Sequence, residues 1–575
     1  MSYNFGYGGG TSVYTGAQRY SIKDFSITSH KLEFRGSDFF IRAYATLENS
    51  GSSYIADLTG VLINDQWRAN STWFGLYGVN YLIAKQLQGR GDEDAHTYAR
   101  GQADGLSPID GNKRPEPGSP EFKAAFDKAT SDVIPKGSKF SDKSALYHLE
   151  GQYNFKKEIH FMDLMAGGSY QVYDLRSNGT IFPDTPDAPI TISEYGAFVQ
   201  ASKALINEKL RLTGSLRYDK NENFNGQINP RLSAVIKAAP NHNIRMSFQT
   251  GFRNPTTQGQ HIDLNVVSAR LLGGLKYYRD RHDIFNNAYT LTSVNAFASK
   301  FGKEAGGDGA QLGNPDYLDL LVPITEAETA EVIPEQITSF ELGYKSLINN
   351  KLMLDIVGYY NIYNNFITQV AMRKASGAIN IPSNTSSDPN DPDFWGYQPE
   401  TEQNIRNAQT LLTPITTEGM ENTFSTYTNV ENQIKGAGAA IGIDYMLGRG
   451  YTIGSNYNWN KLLDNGFNDN DQNDFNTPEH KVNFSFSNRK VTDNLGFNVA
   501  FRWQTSYFWG AGFGSGTVPA VGTVDAQLSY KLSSLRSVLK VGGSNLLNNR
   551  HVLNYGGPTL GAIYYVSLTF DELLN

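Results

Sequence analysis

Apolar and polar residues alternate one for one along the segment from Glu335 to Asn365. Phe340, Leu342 and Tyr344 fall on one side, and Ser339, Glu341, Gly343 and Lys345 on the other. After Ile348-Asn349-Asn350 the alternation resumes, with Leu352, Leu354, Ile356 and Tyr360 set against Met353, Asp355, Tyr359 and Asn361. A two-residue period places successive side chains on opposite faces of a strand, so each run predicts one oily and one wet face. Two such runs around an Asn-rich turn predict an antiparallel hairpin.

The unit repeats along most of the chain. Residues 24–34 and 38–50 form a first clear hairpin around Arg35-Gly36-Ser37. Further strand pairs are predicted at 144–155 with 159–176, 193–205 with 210–219, 228–238 with 243–252, 431–447 with 451–461, and 479–490 with 495–507, then at 522–530, 537–546 and 562–570. Residues 1–21 read as a Gly-rich loop or partial strand, and 571–575 as a tail. Long polar excursions cover 51–143, 253–334 and 374–430. The first holds a helical stretch capped at Asn70, with Trp73, Leu76, Tyr77, Ala84 and Leu87 at helical spacing. Connections alternate between short and long. That is the signature of a transmembrane antiparallel β-barrel, with short turns on the periplasmic side and long loops outside. About eighteen strands are predicted over residues 22–570, each near the ~9–11 residues that cross a bilayer at a tilt. A soluble propeller would repeat at one fixed period, which this chain does not do.

Composition changes the picture in two ways. The 575 residues are 39% hydrophobic with mean hydropathy -0.43, yet include 33 Tyr and 32 Phe. No apolar run reaches the roughly 18 residues of a membrane helix, but a barrel hides its membrane signal because every second residue can face water. Net charge is -7, and no basic run marks a nucleic-acid partner. The absence of cysteine suits an exported bacterial chain without disulfides. The start, Met1 to Gly10, has neither the basic nor the apolar region of a signal peptide, so an exported chain would have lost it.

Particular words in the sequence carry a resemblance. Gly251-Phe252-Arg253-Asn254-Pro255-Thr256, preceded by Asn229-Pro230-Arg231-Leu232-Ser233, resembles a stretch of TonB-dependent outer-membrane receptors. Pro334-Glu335-Gln336 through Glu341-Leu342-Gly343-Tyr344, Asn545-Leu546-Leu547-Asn548-Asn549-Arg550 and the aromatic run Tyr564 to Phe570 resemble further signatures in family order. Phe475 to His480 is similar to Bacteroidota-type members. The resemblance covers roughly 20–570 and implies energised uptake of a scarce nutrient through the outer-membrane lipid: a siderophore, glycan, peptide or vitamin. It implies a 22-strand barrel, coupling to the TonB complex, and a surface lipoprotein partner for glycan or peptide cargo. The family's plug domain and TonB box have no counterpart in these residues. The expectation is therefore a barrel portion, from a fragment or a split gene. A passive porin-like or adhesive barrel is the alternative.

No catalytic set can be nominated. The nine His are scattered without metal-ligand spacing, and Gly512 to Gly516 has the wrong register for a nucleophile elbow. No cofactor and no metal is expected, and the chain reads as a non-enzyme. Asp469, Asp471 and Asn473 alternate as calcium ligands do, but lack the turn Gly and closing Glu, which leaves a solvated acidic loop. Arg211, Arg217, Arg245 and Arg502 lie on wet faces, where they would pair with plug carboxylates or with neighbouring lumen groups, since buried charge needs a partner. Arg253 shares that placement and is a candidate ligand contact. Trp73, Tyr77, Trp395 and Tyr397 in the long loops would either stack on a ligand or pack the loops together.

Overall fold

The structure, a computed structural model, describes residues 1–15, 19–106, 113–266, 269–306, 308–413, 421–464, 466–468, 471–473, 475–510 and 515–570. Asp469, Asp474, Gly512 and the tail 571–575 lie outside the described residues. Nineteen strands join one sheet. One of them is the two-residue Tyr54–Ile55; the others are long, and each pairs antiparallel with the next long strand in the chain, from Ser2–Thr15 to Ile563–Phe570. Among the described residues no ladder joins the first strand to the last. No described helix is long and apolar enough to cross a membrane.

Strand boundaries follow the alternation. The hairpin at Glu335–Ile348 and Leu352–Asn364 turns on Asn349 and Asn350, with φ of 51° and 54°. Asparagine tolerates this left-handed region better than most residues. The Lys351 amide closes the turn by donating to the Ile348 carbonyl at 3.0 Å. Residues 1–21 need correction. Ser2–Thr15 is a full strand laddered to Arg19–Arg35, not a loop or a partial strand. Its Gly8-Gly9-Gly10 run interrupts the side-chain pattern while leaving the backbone free to hydrogen-bond.

The register shows how one face stays apolar across many strands. Ile236, Ile244, Tyr344, Ile356, Ile441, Tyr457, Val482 and Trp503 are successive cross-strand partners. On the opposite face the partners run Lys237, Asn243, Lys345, Asp355, Gly442, Asn456, Asn483, Arg502 and Thr523. A one-residue slip in any ladder would exchange the two rows, so the contrast between an apolar and a polar face specifies the register. The apolar face is open: Leu342 is 57% exposed and Val566 72%. An apolar concavity of about 1070 Å³ lies on this outer wall among Leu232, Met246, Phe248, Phe340, Leu342 and Ile356.

The predicted Arg rows are neutralised within the wall. Arg211 Nη1 reaches Asp163 at 3.4 Å, Arg217 Nη2 reaches Asp219 at 2.6 Å, and Arg502 Nη2 reaches Asp525 at 2.7 Å. Arg245 lies between Asp355, at 3.0 Å, and Glu341, at 3.5 Å. Gly343 makes room for it: a Cβ there would sit 2.5 Å from Arg245 Nε. Of the two kinds of partner expected for these cations, the described residues supply neighbouring wall carboxylates.

All long connections leave from one end of the wall, and apart from residues 222–226 the described short turns lie at the other. A charge on the lipid row should therefore cost far more than one on the wet row. Leu342→Lys is expected to lose about 2–4 kcal/mol of folding free energy, and Ser339→Lys, three residues earlier on the wet row, less than a third of that. Reversible denaturant unfolding in lipid vesicles measures both.

Candidate functional site

The buried core lies in the long loops rather than in the wall. One cluster joins Ile55, Ile134 and Phe140 of the first excursion to Ile181 and Phe182 of a neighbouring loop and to Ile262, Leu264 and Val266 of the second excursion. A second packs Phe297, Phe301 and Leu318 against Ala408 and Leu411 of the third. The loops thus share apolar interiors that none could bury alone. They also share a five-stranded sheet of Asp263–Asn265, Arg270–Leu272, Thr423–Asn429, Ile367–Lys374 and Ala288–Thr290. The third excursion, predicted at 374–430, thus carries two strands of this sheet: Ile367–Lys374 leads into that range and Thr423–Asn429 lies within its end. In the first excursion the helix Asn70–Leu82 has Ala69 at its N-cap, not Asn70; the Asn70 amide itself donates to Asp65 Oδ1 at 3.0 Å.

A buried ion network locks the second excursion to the third. Arg270 reaches Asp263 and Glu421 at 2.6 Å each, and His282 Nε2 lies 3.1 Å from Asp263. Burial pushes the Asp263 carboxyl up, but His282 and Arg270 outweigh it and hold it below the usual carboxylate range.

The Arg253-Asn254-Pro255-Thr256 corner carries the second excursion off the wall. Arg253 Nη2 donates to Glu335 Oε2 at 2.6 Å, and Asn254 Nδ2 donates to Glu194 Oε1 at 2.9 Å. Thr256 Oγ1 accepts from the Gly259 amide at 2.9 Å, capping the short helix Thr257–His261. The motif therefore aims Gln258 and Ile262 into a cavity of about 490 Å³. Every long connection with a described wall residue contributes one or a few side chains: Ile55, Phe140 and Asp142; Ile181; Leu264 and Leu271; Gln369 and Tyr427; Gln472 and Asn476; Trp509; Asn554. Tyr14, Tyr20 and Ile22 at strand ends complete it.

Tyr14 stacks on Tyr20 with centroids 5.7 Å apart, and Tyr20 meets the edge of Phe140 at the same distance. Asn476 is fully engaged with the Gly510 backbone, donating at 2.9 Å and accepting at 2.8 Å, which fixes the segment that carries Trp509. Beside the cavity, burial lowers His261 to about 4, keeping it neutral. The arrangement can hold a medium-sized ligand between flat apolar rings and amides. It offers no nucleophile–base pair.

The residues singled out from sequence lie elsewhere. Trp73 Nε1 donates to Asp104 Oδ1 at 2.9 Å and its ring stacks on Tyr77 at 5.4 Å; the Tyr77 hydroxyl lies 2.5 Å from His96 Nδ1. Trp395 is 3% exposed, packed beside Phe394 and Gly313. Tyr397 is exposed and donates to the Pro389 carbonyl at 2.5 Å. None of these, nor Arg253, lines the cavity. Sequence reasoning missed Tyr14, Tyr20, Phe140, Gln258, Tyr427 and Trp509. The one available signal was Gln258, two residues beyond the recognisable corner.

The family model described as "TonB dependent receptor-like, beta-barrel" matches residues 2–546. No curated protein matches the chain. Among solved structures, the chain is similar to the FrpB iron transporter of Neisseria meningitidis, with 10% identity, TM-score 0.53, and coverage of 99% of this chain and 68% of that one. It is similar to the ferric enterobactin receptor PfeA of Pseudomonas aeruginosa, with 12% identity, TM-score 0.51, and coverage of 96% and 62%. The siderophore receptor PirA of Acinetobacter baumannii gives 10%, 0.50, and again 96% and 62%. The chain thus spans about 62% of the length of the PfeA and PirA chains, and the likeness is one of fold.

Two outcomes follow from the loop assembly. Arg270→Ala removes the cation shared by two buried carboxylates and should cost the loop sheet about 3 kcal/mol. Limited proteolysis should then cut within 254–334 and 365–433 while the wall stays folded. For His261 the unfolded chain takes up a proton below about 6.5 but the folded one only near 4, so stability present above 6.5 is lost as pH falls through that window. Cleavage in 254–334 should rise from pH 6.5 to pH 4, and His261→Gln should flatten the rise.

Proposed function

Because the chain belongs to the TonB-dependent receptor-like β-barrel family, we propose that it forms the wall and the outer ligand site of a Gram-negative outer-membrane receptor that takes up a scarce nutrient. The observation that supports this most is the joint placement of the loops and the apolar rows. One face of the sheet is oily along its whole breadth, the other is wet, and every long loop closes over one end around a single cavity. A wall of this kind spans lipid, and the covered end faces the medium.

In this reading the cap binds cargo from outside, and energy supplied by the TonB complex from the periplasmic side releases it inward. The wall contributes a charge-paired lining in which Arg217, Arg245 and Arg502 are already neutralised by neighbours, so cargo can pass without meeting a row of naked cations. The Phe475 to His480 run supports a Bacteroidota-type receptor, and a surface lipoprotein on the covered end is the partner that such a receptor would use.

Epitope tags test the orientation. A tag at Lys113 to Pro117 should be labelled by antibody on intact cells, and one at Asn349-Asn350 only after the outer membrane is breached. In the native host, uptake that depends on the gene should stop when the proton-motive force is collapsed. Uptake that continues would identify a passive pore instead.

A further inference from the structure

The cavity's lining is selective about charge. Five aromatic rings face it, from Tyr14, Tyr20, Phe140, Tyr427 and Trp509, together with the side chains of Gln258, Gln369, Gln472, Asn476 and Asn554. Asp142 is the one ionisable carboxylate among the lining residues, and no Lys, Arg or His is among them. An anionic ligand taken out of water here would meet no compensating cation, which is prohibitive. A purely apolar ligand would strip water from the Gln258 amide without replacing its hydrogen bonds.

Two of the polar groups are open to solvent. Among the described residues no side-chain partner is seen for the exposed Gln258 amide or for the half-buried Tyr20 hydroxyl, which is held between two rings. Groups that bond only water can exchange that water for the hydroxyls of a ligand at little cost. Gln369 Oε1 accepts from Ser425 at 3.1 Å, leaving its NH₂ to donate.

We infer that this cavity takes an uncharged polyhydroxylated ligand, a short neutral oligosaccharide, a proposal that rests on the receptor reading above. Each sugar hydroxyl both donates and accepts, and so does each side-chain amide, so hydroxyls and amides can satisfy one another without any charge. The C–H faces of pyranose rings lie flat on aromatic rings, and the cavity presents such rings from several elements. A volume of about 490 Å³ suits a disaccharide or trisaccharide unit, with the rest of a longer chain leaving toward the medium.

The test uses the full chain in lipid nanodiscs, with malto-, cello-, xylo-, manno- and chito-trioses as probes, a ferric tris-catecholate as the anionic probe and tetraalanine amide as the peptide probe. At least one neutral trisaccharide should bind and alter tryptophan fluorescence, with no binding of the catecholate. Gln258→Leu should weaken that binding about tenfold, the loss of one hydrogen bond to the ligand. Trp509→Leu, which removes a flat ring from the lining, should weaken it similarly, while Trp73→Phe, in the helical layer away from the cavity, should leave it unchanged. Thermal unfolding of each variant reports whether it folds. Binding of the catecholate or the peptide in place of every trisaccharide, or of no probe at all, overturns the inference. If the tags still give the expected orientation and uptake still needs the proton-motive force, the receptor reading survives that failure; if those fail too, both fall.

Discussion

Hydrogen-bond closure in two solvents is the constraint on which this structure depends. A backbone in hydrocarbon must satisfy its N–H and C=O groups within the protein, and a sheet laddered strand to strand does so everywhere between its two outermost strands, Ser2–Thr15 and Ile563–Phe570. Once the ladder exists, side chains have no freedom of side: the pleat sends them alternately to lipid and to water. The row from Ile236 to Trp503 and the row from Lys237 to Thr523 are two faces of that single requirement. On the wet face, charge is offset where a cation lies against a neighbouring carboxylate, as Arg245 does between Asp355 and Glu341.

The wall inverts the usual order of a protein, with its oily side chains outermost, so it cannot supply a conventional core. The core sits in the cap, where loops from distant parts of the chain bury Ile55, Ile262, Phe297 and Leu411 together. The loops are therefore a second folding problem, solved by helices, a small sheet and the Arg270 network. The cavity exists because these elements meet over the ends of strands instead of filling the space completely.

This division explains what was legible in the sequence. The hairpin at Glu335–Ile348 and Leu352–Asn364 could be read almost to the residue, because the period-two pattern and the Asn-Asn turn are local facts. Ser2–Thr15 was harder, since Gly8 to Gly10 carry no side chains to alternate and only the partner strand reveals the ladder. The cavity was not legible at all. Its wall takes Gln258 from one loop, Trp509 from another and Tyr20 from a strand end, and no spacing relates them. Aromatics that look exposed in sequence, such as Trp73 and Trp395, found partners in helices and packed turns. The recognisable Arg253 to Thr256 corner proved to be a positioning device: Arg253 and Asn254 fasten it to Glu335 and Glu194, and Gln258 is what it delivers.

The chain contains no cysteine, so single cysteines can be introduced one at a time along Glu335–Ile348 and spin-labelled in lipid vesicles. Collision with dissolved oxygen reports lipid, and collision with a water-soluble nickel chelate reports water. The account predicts the two accessibilities to alternate out of phase with a period of two residues, oxygen highest at Phe340, Leu342 and Tyr344. Uniform water accessibility along the strand, or a 3.6-residue period, would contradict it.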